Sequence, residues 1–105
     1  MKPILYIFPL LLLFSCATTR IGSISDPVTV EASCGQCQFG MEGEGCDLAV
    51  RINGKGHYVE GTGIDDHGDA HATDGFCEAV RKAKVAGKVK RGRFHAERFE
   101  LLPDN

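Results

Sequence analysis

The chain of 105 residues has no tryptophan and only two tyrosines. A domain this small and this poor in large aromatics has a marginal core unless something staples it. Disulfides, a metal ion or oligomerisation commonly do so at this size. The chain also has no excess of positive charge, with 12 Lys and Arg against 14 Asp and Glu. Setting Lys2 aside leaves 11 against 14, a charge of −3, which speaks against a nucleic-acid partner. No apolar run reaches the roughly 20 residues that a membrane-spanning helix requires. No internal repeat is present, and no low-complexity tract follows the first 15 residues. No Ser-His-Asp set, phosphate-binding glycine loop or pair of catalytic carboxylates stands out, so a non-enzymatic protein is expected.

The opening of the chain is informative. Lys2 is followed by apolar residues as far as Phe14, then Ser15 and Cys16. A basic start, an apolar stretch and a small residue make a secretory signal peptide, here residues 1–15. Leu13-Phe14-Ser15-Cys16 looks like a bacterial lipobox, in which cleavage precedes a cysteine that is then acylated. A plain signal peptide with an incidental cysteine is the alternative. Two or more acyl chains on Cys16 anchor a protein stably to a membrane. Ala17, rather than Asp, follows the cysteine, which resembles the sorting pattern of the outer membrane. The expectation is a lipid-anchored envelope protein facing the periplasm, with its tether at 16–27 and a single cysteine-rich domain at 28–103. Export also argues against nucleic acid, and no protein partner is indicated.

Cysteine arithmetic sharpens this. Five cysteines less Cys16 leave Cys34, Cys37, Cys46 and Cys77. An even number in an oxidising compartment fits two disulfides, with three possible pairings. A bound metal is the other explanation for four thiols there. Cys34 and Cys37 form a C-x-x-C, a spacing that turns both sulfurs towards one point. Four thiolates, or three and a histidine, suit zinc or copper(I). The histidines at hand are His67 and His71, in H-G-D-A-H over 67–71. The ligands expected are Cys34, Cys37, Cys46 and Cys77, with His71, and behind it His67, as spare or supporting partners. If the cysteines are staples, Cys46–Cys77 or Cys34–Cys77 would stabilise more than the short Cys34–Cys37 loop. A thiol–disulfide enzyme using Cys34 and Cys37 is a third reading. It is disfavoured because Gly40 and Gly43 follow the motif and do not continue a helix. The acidic residues around His67 lack the spacing of an EF-hand.

Alternation in period two predicts strands at 27–33, 47–53, 57–60, 84–90 and 93–101. Asn53-Gly54 predicts a hairpin turn between the second and third. Residues 61–73 read as a loop. Asp74 reads as the N-cap of a helix over 75–84, with Cys77 in its first turn, where a helix N-terminus lowers a thiol pKa. The order β-β-β-α-β-β is that of an OB-like five-stranded barrel, mainly β with one helix. An open α+β sheet is the alternative. Phe39, Phe76, Phe94 and Phe99 are expected in the core, and His57 and His95 as ordinary strand-face residues. Cys46, just before the second strand, can fold back towards Cys34 and Cys37.

Four motifs carry a resemblance: C-G-Q-C-Q-F-G over 34–40, G-C-D-L-A over 45–49, I-D-D-H-G-D-A-H over 64–71 and D-G-F-C over 74–77. Together they resemble a family of short bacterial lipoproteins of unknown function, over about residues 34–103. The resemblance implies export and small size and no activity. More distantly, the pattern is similar to small exported OB-like proteins suspected of binding metals. That similarity implies a ligand set of Cys34, Cys37, Cys46, Cys77 and one of His67 or His71.

Overall fold

The structure, a computed structural model, describes residues 23–103. The expected acylation site Cys16 and the expected leader at 1–15 lie outside the described residues. Five strands are present: β1 (Ser23–Cys34), β2 (Leu48–Ile52), β3 (Lys55–Glu60), β4 (Arg81–Lys90) and β5 (Arg93–Leu101). The single helix, α1 (Gly35–Gln38), is one turn long. The strands close into a barrel in the order β1-β2-β3-β5-β4.

Closure depends on β1 and on one parallel pair. β1 is long enough to serve two neighbours, pairing antiparallel with β2 through Glu31–Cys34 and with β4 through Ser23–Ala32. β3 and β5 pair in parallel at Val59↔Phe94 and Glu60↔His95, which leaves no free edge. This is the five-stranded OB-like barrel expected from the strand order, and closure excludes the open sheet. Asn53-Gly54 and Arg91-Gly92 both have positive φ at two successive residues, the backbone of tight hairpin turns.

The core follows the alternation. Val30 and Ala32 from β1, Leu48 and Val50 from β2, and Val59 from β3 point inward. Ala83 and Val85 from β4 join them, with Phe76 and the wholly buried Phe94. Each large side chain buried there contributes roughly 1.5–3 kcal/mol. Phe99 packs half-buried against this cluster. Phe39 does not join it: its ring lies under the Arg51 guanidinium, 4.3 Å from the centroid. His57 is no ordinary face residue either. It is buried, and its Nδ1 lies 2.9 Å from the carbonyl of Gly92 in the β4–β5 turn. His95 is exposed on β5.

The helix expected over 75–84 is absent. Residues 81–84 belong to β4, where Arg81 and Ala83 are buried in phase with Val85. Pairing with both β1 and β5 draws these residues into the sheet and removes the last turn of the expected helix. What remains is a run of tight turns. Cys77 N–H donates to Ala70 O at 2.9 Å, and Ala79 N–H to Gly75 O at 2.9 Å. Gly75 sits so close to the carbonyls of Asp69 and Ala70 that a β-carbon there would collide with both. The one helix lies instead at the C-x-x-C, a single turn stopped by Phe39 and Gly40.

Candidate metal centre

Two connectors and the end of one strand build the site. Cys34 is the last residue of β1 and the N-cap of α1, and it is fully buried. Its sulfur accepts the amide of Cys37 at 3.3 Å, which places the two cysteines of the motif on one side of the turn. Gly35 follows, where a β-carbon would meet the Tyr58 ring at 2.6 Å and Ala49 at 3.1 Å. Only glycine lets the turn lie this close to β2 and β3.

The β1–β2 connector then returns. Gly35 N–H donates to Asp47 O at 2.8 Å. The Gln36 amide grips Asp47 at both ends: Nε2 donates to Asp47 Oδ2 at 2.7 Å, and Oε1 accepts the Asp47 amide at 2.9 Å. Tyr58 O–H donates to Glu42 O at 2.5 Å, pinning the middle of the loop. Cys46, one residue before Asp47, is thereby held against the C-x-x-C turn. This is the fold-back expected of the glycine-rich segment.

The β3–β4 connector supplies the fourth sulfur. Cys34 N–H donates to Phe76 O at 2.9 Å, and the hydroxyl of buried Ser33 lies 2.6 Å from the carbonyls of both Phe76 and Ala79. Gln38 Nε2 donates to Cys77 O at 2.9 Å. Arg81, also buried, donates to Asp74 O at 2.7 Å and to Leu102 O at 2.8 Å. Together these bonds fasten Cys77 over the end of β1. Ser33 and Arg81 carry roles that sequence reasoning missed.

The sulfurs of Cys34, Cys37, Cys46 and Cys77 all lie within 4.8 Å of one another. Cys46 Sγ is 3.3 Å from Cys77 Sγ and 3.6 Å from Cys37 Sγ. None of the four is bonded to another. The edge of a tetrahedron of sulfurs around zinc, with bonds of 2.3 Å, is about 3.8 Å. These spacings suit four ligands converging on a point, and such a group could hold a metal ion.

Electrostatics within the group are uneven. Burial pushes the Cys34 thiol up, but hydrogen bonds from the Cys37 thiol and amide, the Cys46 thiol and the Gln36 amide outweigh it. The net pKa of Cys34 is lowered. Cys37 is pushed up to about 12, first because its thiol donates to Cys34 and Cys46. Cys77 is pushed up to about 11, first by burial and then by its bond to Cys46. The lowering that a helix N-terminus would have given Cys77 is absent along with the helix. The more acidic sulfur is therefore that of Cys34, beside Cys37 and Cys77 which hold their protons, and a cation is what allows several thiolates to coexist.

Neither histidine of the 67–71 motif belongs to the sulfur group. His67 is turned towards the aromatic side of the barrel, its ring 4.6 Å from Phe99 and 6.0 Å from Phe76. Its Nε2 lies 2.8 Å from Thr62 Oγ1, and burial lowers its pKa against the opposing pull of Asp66. His71 is exposed on the same loop, where its amide donates to Asp69 Oδ1 at 2.9 Å. A loop, unlike a helix, imposes no common direction on residues four apart.

No curated protein and no solved structure matches this chain. A family model does match, over residues 28–102, from within β1 to one residue past β5, and so takes in β2 to β5 and all four thiols. The chain belongs to the family of unknown function DUF6370.

Proposed function

We propose that this chain is a small lipid-anchored protein of the bacterial cell envelope whose four thiolates hold one zinc ion. The observation that carries the metal reading is the four-way convergence of Cys34, Cys37, Cys46 and Cys77 within 4.8 Å. Disulfide staples would need two pairs, and the sulfurs are arranged as one group of four. Four sulfurs converging within 4.8 Å favour zinc, whereas copper(I) is the second choice because it is satisfied by fewer soft ligands. The ion ties the two connectors to the end of β1. His67 packs against Phe76 and Phe99, and His71 lies exposed on the loop outside the sulfur group. The anchor reading rests on residues 1–16 alone, where the apolar stretch leads into Leu13-Phe14-Ser15-Cys16. The expected placement is the outer membrane, facing the periplasm.

The test uses the full chain in detergent carrying Cys16→Ala, so that the four domain thiols are the only ones. It is purified without chelator and weighed under native conditions, then denatured and treated with a thiol label. One bound zinc and four labelled thiols are expected. A mass four hydrogens light with no metal overturns the metal centre and makes the cysteines staples. Bound copper keeps the tetrad and corrects the ion. For the anchor, cells fed labelled palmitate should label the wild-type chain and not Cys16→Ala; equal labelling of both, or of neither, removes Cys16 as the lipid site.

A further inference from the structure

The four sulfurs are not equally held. Cys34 is buried and accepts a backbone amide, whereas Cys37 is exposed and Cys46 and Cys77 are half-buried. Among the described residues, the hydrogen bonds that reach the sulfurs of Cys46 and Cys77 come only from other thiols of the group. A structural zinc site is closed, with its ligands shielded and their charge offset. Here no lysine or arginine occurs in residues 31–50 or 60–80, the segments that carry all four cysteines. The residues flanking the outer sulfurs are acidic and exposed: Glu42, Glu44 and Asp47 beside Cys46, and Glu78 beside Cys77. Four thiolates around a divalent ion carry a net charge of −2, and the guanidinium groups that flank these segments are engaged elsewhere: Arg51 with Glu31 and the Phe39 ring, Arg81 with Asp74 and Leu102. Cys37 and Cys46 also ride on a connector that turns at Gly40, Gly43 and Gly45, all with positive φ, and that is exposed from Glu42 to Gly45.

We propose that the tetrad is an exchange site: it passes its ion, through the Cys37 side, to a thiol-bearing protein segment flanked by basic residues. This rests on the reading of the four cysteines as ligands. Cys34 is the fixed post, and the exposed sulfurs are the leaving ligands. In each exchange step an acceptor S–H gives up its proton and its sulfur bonds to the ion. One bond from the ion to the tetrad breaks, that to Cys37 in the first step and that to Cys34 in the last, and the freed sulfur takes up a proton. No electrons move. The negative rim draws a basic acceptor.

The experiment starts from the full Cys16→Ala chain in detergent, loaded with one zinc, the load being measured first. Transfer is followed by stopped flow to a chromogenic zinc chelator, and then to two short cysteine peptides, one flanked by lysines and one by glutamates. The expected rate rises in proportion to acceptor concentration. The lysine peptide should react about tenfold faster than the glutamate peptide, an advantage that fades as salt is raised. The double variant E42Q/E44Q should shrink that advantage while leaving transfer to the chelator unchanged. A rate independent of acceptor concentration means that zinc must first leave a closed site, and it overturns exchange. Equal rates for the two peptides overturn the basic partner. A chain that takes up no zinc at the loading step overturns the metal reading itself, and the exchange proposal with it.

Discussion

The two connectors that build the sulfur group solve the same problem in different ways. The β1–β2 connector carries Cys37 and Cys46 on a one-turn helix and a glycine-rich return, closed on itself by the Gln36–Asp47 pair. Its order is local: most of its bonds join residues within about a dozen positions. The β3–β4 connector carries Cys77 on stacked turns fastened to distant parts of the chain, at Ser33, Cys34, Gln38 and Leu102. The first arrangement can be read from its residues. The second exists only because the barrel has closed beneath it, and disturbing the barrel should therefore reach Cys77 before it reaches Cys37.

The severest way to break this comparison is through the shared core. Phe94 is fully buried and in register with Val59 across the closing parallel pair. Phe94→Ala should cost about 3–5 kcal/mol, seen as a lower urea midpoint. Protection should fall first over the β3–β4 connector and then over the β1–β2 connector, because only the former takes its shape from the closed barrel. A variant that kept its urea midpoint would mean that the sulfur group, rather than the core, supports the fold.

Arg81 separates the two loops. It donates to Asp74 O and Leu102 O, so Arg81→Ala leaves two inward carbonyls without a donor and should cost about 3 kcal/mol. Hydrogen exchange should quicken over 61–80 and stay unchanged over 35–47. Equal loss in both connectors would show that they are one cooperative unit and remove the distinction.

Protons offer a third test, gentler than either variant. Cys37 and Cys77, with pKa values pushed up to about 12 and about 11, hold their protons near neutral pH in the metal-free site. Binding a divalent ion displaces both, so these two thiols alone should raise the affinity about a hundredfold for each pH unit at pH values well below about 11. The sign is fixed by the direction of the shifts: acid weakens binding and alkali strengthens it. Calorimetry of zinc binding in buffers of different ionisation enthalpy counts the protons released. A count near zero would mean that both thiols are already ionised and that the free group is not organised as described.

These contrasts also explain what could be read in advance. Alternation revealed β1, β2, β3, β5 and residues 84–90 of β4 because each has one face against the core, and cysteine spacing revealed the four-sulfur group because a C-x-x-C turn and a short return loop constrain distance directly. The helix over 75–84 failed because an N-cap and a few apolar residues are weak local signals beside two strand partners waiting for residues 81–84. Arg81 left a trace that was available: it stands in phase with Ala83 and Val85, at an inward position of β4. His67 and His71 drew attention by type, yet a loop gives their spacing no geometric force. Ser33 left no trace at all, for it is out of phase with Val30, Ala32 and Leu48 and is buried by a loop rather than by the core.

Ser33 therefore gives the finest test of the idea that the β3–β4 connector is held from outside itself. Its hydroxyl lies 2.6 Å from both Phe76 O and Ala79 O, on either side of Cys77, and can donate its single proton to one of them at a time. Ser33→Ala removes that donor without adding bulk, and Cys34 N–H still serves Phe76 O. The loss should be about 1–2 kcal/mol, smaller than at Arg81 because one of the two carbonyls keeps a partner. Its effect should fall on Cys77: faster labelling of that thiol in the metal-free protein, with Cys37 labelled at its former rate. Mass spectrometry of thiol-labelled peptides reads both rates in one sample. Unchanged labelling at Cys77 would show that the turns over 70–79 hold their own shape, and that the second connector is as local as the first.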